Sequence, residues 1–148
     1  MRFDTSIITI LMAGFIVASP VPESATLDKR AKNDYCGKST FVNRSSRGSP
    51  LVKDCRRIAR NIAKGGSWKV GAGGEHHQQL QYGTCAFGIQ GAKTQINRAT
   101  IGNQDVIDLI NDSIKKFQWK GRVGAEGVMS CKGWLDSRVD MKWGIYHD

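Results

Sequence analysis

The sequence predicts an α+β domain in which two helices pack on one face of a mainly antiparallel sheet, held by two disulfides. Three observations point to it. Two segments carry apolar residues at helical spacing between start and stop signals, and several others read as strands. The chain has four cysteines, Cys36, Cys55, Cys85 and Cys131, all beyond a secretory type of N-terminus.

That N-terminus opens with Met1-Arg2 and continues into the apolar run Ile7 to Val17, which closes on Ala18 and Ser19. The run is too short to span a bilayer, which takes roughly 20 apolar residues. Residues 1–18 are therefore expected to be a signal peptide cut after Ala18. Residues 19–30 hold two of the three prolines, lack apolar periodicity and end in Lys29-Arg30. They read as a propeptide, since the dibasic pair resembles a kexin-type processing site, and residues 31–148 are left as a single domain. A secreted, extracellular protein is expected.

Four cysteines in a secreted chain of this size imply two disulfides. No Cys-x-x-Cys spacing suggests zinc, so neither a metal nor another cofactor is expected. The net charge is +9. Residues 1–30 contribute nothing to it, because Arg2, Lys29 and Arg30 balance Asp4, Glu23 and Asp28.

The first helix is expected from Ser49 as cap and Pro50 as first helical residue to the stop at Gly65-Gly66. Leu51, Val52, Cys55, Ile58, Ala59 and Ile62 form its apolar stripe, and Lys53, Arg56, Arg57, Arg60 and Lys64 its other side. The second runs from a cap at Asn103 to Phe117, with Asp105 and Asp108 near its positive end and Lys115-Lys116 near its negative end. Strands are expected at Ser67 to Val70, Leu80 to Gln90, Gly127 to Cys131 and Val139 to Tyr146. In the last, Val139, Met141, Trp143 and Ile145 alternate with Asp140, Lys142, Gly144 and Tyr146. Gly71 to Gly74 and Gly121 to Gly124 read as turns or loops.

Three disulfide pairings are open. The nested one, Cys36–Cys131 with Cys55–Cys85, is favoured, because an inward-facing Cys55 on a helix readily reaches a strand carrying Cys85. The other pair would tie the first ordered segment to a late strand.

Seven motifs in order form a further pattern: Cys36-Gly37-Lys38-Ser39-Thr40-Phe41, Ser49-Pro50-Leu51, Asp54-Cys55, Tyr82-Gly83-Thr84-Cys85-Ala86-Phe87, Ile101-Gly102-Asn103-Gln104-Asp105-Val106, Gly127 to Cys131 and Trp143-Gly144-Ile145-Tyr146. The pattern resembles the fungal secreted effectors known as putative necrosis-inducing factors, homologues of extracellular protein two. That family is in turn similar to the viral killer toxins of smut fungi, small basic disulfide-rich proteins with two helices on an antiparallel sheet. The resemblance implies secretion by a fungus and damage to host or competitor cells, through a membrane or ion-channel target, rather than catalysis. The toxins' additional disulfides are missing here, so no toxin lysine is carried over.

Catalytic chemistry has one candidate. Glu75, His76 and His77 could serve a small secreted ribonuclease, with Arg122 against a phosphate. A general base must be held rigidly against its substrate, however, and these residues sit in a glycine-rich loop, so no catalytic residue is assigned and no enzyme is expected. The basic helix face (Lys53, Arg56, Arg57, Arg60, Lys64) is the sharper candidate, either solvated or a footprint for anionic lipid, channel vestibule or acidic wall polymer. Nucleic acid is not expected, for want of a recognition motif. A monomer is expected, and a passive cell-wall-binding module remains an alternative. Of Trp68, Trp119, Trp134 and Trp143, Trp134 in a turn-like segment is the one to examine for exposure. The sequon at Asn43 lies in a polar loop and could carry glycan, whereas that at Asn111 falls on a helix.

Overall fold

The computed structural model describes residues 32–71, 77–92 and 98–148. Ala18, Lys29 and Arg30 lie outside these, as do Glu75 and His76. In chain order the elements are β1 (Cys36–Ser39), β2 (Val42–Asn43), α1 (Val52–Asn61), β3 (Ser67–Val70), β4 (His77–Tyr82), β5 (Cys85–Gly91), β6 (Ala99–Gly102), α2 (Asn103–Phe117), β7 (Ala125–Gly133) and β8 (Arg138–His147). The sheet is antiparallel in the order β3-β6-β7-β8-β5-β4, with β1 and β2 pairing along β7. Helix α1 packs on α2, β4 and β5, and α2 also meets β6. The α+β fold expected from the sequence is the fold observed.

Alternation in β8 is set by burial. Val139, Met141, Trp143 and Ile145 enter the core with Phe87 and Ile89 of β5, and Asp140 and Lys142 stay exposed. Each fully buried aliphatic side chain is worth about 1.5–3 kcal/mol relative to exposure. On the helices Val52, Cys55, Ile58, Ala59 and Ile62 meet Val106, Leu109, Ile110 and Ile114 in the same core.

The single strand expected over Leu80 to Gln90 is instead the hairpin β4–β5, turned at Gly83-Thr84. Gly83 has φ of 56°, and a Cβ there would stand 2.6 Å from the Asp54 carboxylate. Only glycine admits both. The absent side chain lets Asp54 accept from the Thr84 amide at 3.0 Å and its hydroxyl at 2.8 Å. These bonds hold the Asp54 carboxyl below its usual pKa.

Both helix starts differ from expectation for tertiary reasons. Ser49 does not cap α1: it is buried, accepts from the Ser46 amide and donates to the Arg44 carbonyl. Leu51 is extended and bridges to Arg122, so Val52 is the first helical residue. Amides of this turn are met from elsewhere in the chain, Leu51 by the Thr84 hydroxyl and Val52 by the Gly121 carbonyl. At α2, Asn103 is helical rather than a cap. Its buried amide accepts from the Asn33 amide and donates to the Ile62 carbonyl, linking the N-terminal segment to the end of α1.

Asp105 is the hub of that junction. Its carboxyl accepts from the backbone amides of Gly102 (2.7 Å), Tyr35 (3.0 Å) and Cys36 (3.1 Å). Burial pushes its pKa up to about 6, with Asp34 adding to the rise and the three amides opposing it. An unfolded aspartate titrates near 3.9, so between about 4 and 6 the folded state holds this proton more tightly. Stability from the protonated form is therefore lost as pH rises through about 6. Relative to Asp105→Asn, the wild-type melting temperature should fall across that interval, and parallel melting profiles of the two proteins would contradict this.

The disulfides are Cys36–Cys131 and Cys55–Cys85, the nested pairing. The first joins directly opposed residues of β1 and β7, and the second ties α1 to the start of β5.

Candidate functional site: the basic face of the first helix

The apolar stripe of α1 dictates the placement of its charges. With Cys55 bonded to Cys85 and Val52, Ile58 and Ala59 buried, the opposite side must face solvent. Lys53, Arg56, Arg57 and Arg60 of α1 and Lys64 just beyond it are all exposed. Residues three and four apart are neighbours on a helix, so the four cations of α1 form one band about 10 Å long at 1.5 Å per residue, which Lys64 extends beyond the helix end.

No cation of the band is in an ion pair among the described residues, although the charge of Lys53 helps to lower the Asp54 pKa. The ion pairs there are Arg44–Glu126, Lys116–Asp112 and Lys132–Asp136. Asp54, the one acidic residue of α1, is turned inward on Thr84. The Arg57 guanidinium lies 5.7 Å from the centre of the half-exposed Tyr82 ring, which steadies it by a cation–π contact without removing its charge. Such a band attracts polyanions and anionic surfaces, over a range set by a Debye length of about 8 Å at physiological salt.

Other sequence candidates are placed differently. The guanidinium of Arg122 donates to the Ser49 carbonyl at 2.7 Å and so serves the turn before α1. His77 begins β4, and His147 is exposed at the end of β8. Asn43 is exposed on β2 and Asn111 on α2. Trp143 is buried, Trp68 is partly covered by the core, and Trp119 is 40 % exposed beneath Lys120.

Trp134 is 80 % exposed and Leu135 85 %, at the tip of the β7–β8 hairpin. The tip, Trp134–Asp136, is a tight turn in which Leu135 and Asp136 take left-handed φ of 54° and 55°. Left-handed backbone costs a residue other than glycine about 1–2 kcal/mol. The Gly133 amide donates to the Ser137 carbonyl across the turn, and both the amide and the hydroxyl of Ser137 donate to the Trp134 carbonyl, the hydroxyl at 2.7 Å.

A cleft of about 780 Å³ lies over β7 and β8, and its lining includes Arg44, Gln90, Glu126, Lys142 and Tyr146. Tyr146 covers Gly88, where a Cβ would stand 2.8 Å from its hydroxyl. The Gln90 side-chain oxygen is buried without a hydrogen-bond partner among the described residues. Sequence reading missed this cleft, because its wall joins β2 to strands far along the chain. The signal was glycine inside strand runs at 88 and 127, which marks close approach of other groups.

Residues 35–131 match the family model Hce2, described as pathogen effector, putative necrosis-inducing factor. The chain belongs to this effector family. Two Penicillium expansum proteins resemble the effector domain. One, named probable chitinase LysM18, is 36% identical over 114 residues, 75% of this chain and 8% of that protein. The other, named secreted chitinase LysM12, is 34% identical over 121 residues, 76% of this chain and 8% of that protein. The effector chain thus spans about 8% of the length of either relative. Its disulfides suit an oxidising compartment, in keeping with the secretion named for one of them.

Proposed function

We propose that the chain is a non-enzymatic secreted effector that damages host or competitor cells by engaging an anionic cell-surface target, a membrane or a membrane protein, through α1. The supporting observation is the band of five exposed cations, none of them ion-paired among the described residues, along and just beyond a helix held to the sheet by Cys55–Cys85. Reversing Arg56, Arg57 and Arg60 to Glu should cut ion leakage and cell death at least about tenfold, given the steep dependence of such encounters on charge. The melting temperature should stay within a few degrees of wild type, since exposed substitutions of this kind usually cost little. Unchanged leakage by a folded triple variant would sink the proposal.

A second reading is favoured by the chitinase names of the two relatives, namely a wall-glycan-binding module using the cleft over β7 and β8. Retention of the domain on chitin or glucan without any leakage from cells would favour that reading.

A further inference from the structure

The exposed tip of the β7–β8 hairpin takes no part in the basic band and adds little to the core. Trp134 and Leu135 are the two most exposed large apolar side chains of the described residues, adjacent in sequence and held out together. The backbone beneath them is left-handed at Leu135 and Asp136, a conformation glycine would adopt with less strain. The chain keeps a leucine there although that leucine is nearly all in water. Neither burial nor backbone preference accounts for this pair, and strained segments of this kind gather at binding sites.

We infer that this tip is a lipid anchor that inserts Trp134 and Leu135 into the headgroup region of a phospholipid bilayer. The inference rests on the cell-surface reading above and names a second point of contact for it. Three features favour lipid over a protein partner. The tip offers two neighbouring apolar side chains on a narrow turn, far short of the roughly 800 Å² per partner of a stable protein interface. Indole is amphipathic and suits the boundary between water and acyl chains, while leucine suits the layer just below.

The third is the collar of charge. Lys132 and Arg138 flank the turn and Arg98 precedes Ala99, the partner of Gly133, against Asp136 and Asp140. Asp136 is already engaged by Lys132 at 3.1 Å. The balance is positive, which complements an anionic headgroup layer without requiring one.

The test is co-sedimentation with phosphatidylcholine vesicles, with and without phosphatidylserine. Wild type should bind both, more tightly with phosphatidylserine, and its tryptophan emission should shift to the blue. W134A/L135A should lower partitioning by about tenfold or more on both vesicle types, from the lost apolar burial. Leu135→Gly should raise the melting temperature yet weaken partitioning, a split that a structural role for the tip would not produce. Equal binding by W134A/L135A and wild type would overturn the inference, as would no binding of wild type to any vesicle. Binding that needs phosphatidylserine, and is lost in the α1 charge reversal but kept in W134A/L135A, would overturn the tip and leave the α1 proposal standing.

Discussion

Replacing Cys36 and Cys131 together by alanine is expected to lower stability by about 4–5 kcal/mol. The bond joins residues 95 apart, and closing a loop of about that length removes this much entropy from the unfolded chain. Cys55 and Cys85 are only 30 apart, for which the same relation gives roughly 3–4 kcal/mol. Total stability of small domains is about 5–15 kcal/mol, so either loss removes much of the margin. Urea unfolding of the two double variants should place the Cys36/Cys131 pair lower. The reverse order would show that packing around Cys55 and Cys85, rather than loop length, governs their contribution.

Trp143→Ala should cost about 3–5 kcal/mol, the usual range for truncating a buried aromatic. Trp143 is 1 % exposed, meets Phe41 edge-on at 5.2 Å between ring centres and donates from Nε1 to the Ser39 hydroxyl at 2.7 Å. Directly opposite on β7 is Gly127, where a Cβ would fall 1.9 Å from the Thr40 carbonyl and 2.9 Å from the indole. The space left by that glycine is filled by the indole and by the backbone linking β1 to β2. Trp143→Phe keeps most of the ring and should cost clearly less in denaturant unfolding. Equal costs for the two variants would mean that the bond to Ser39, not ring volume, is what the site needs.

Of the candidate site, the basic band was fully legible. Lys53, Arg56, Arg57, Arg60 and Lys64 recur at helical spacing opposite an apolar stripe that a folded chain must bury, so local periodicity alone turns them outward. Leu135 was not, for nothing local tells an exposed leucine in a turn from one folded back on the core. The cleft was hidden for a different reason, since Arg44 meets Glu126 only when β2 pairs with β7.

The elements divide in the same way. Alternation in β8 and the stripes of α1 and α2 follow from periods of 2 and 3.6 residues, so helix count, strand character and the inward direction of Cys55 were present in the chain itself. Its cysteine count and charge likewise marked a basic, disulfide-linked domain, and its motifs marked the family. What only the tertiary structure decided is where the helices begin and what surrounds Asp105. Ser49 and Asn103 are good caps in isolation, but Thr84, Gly121, Asn33 and Tyr35 arrive from distant positions and take over the amides or side chains concerned. A backbone amide is satisfied by whichever acceptor folding brings to it, and sequence neighbours are only one source of acceptors.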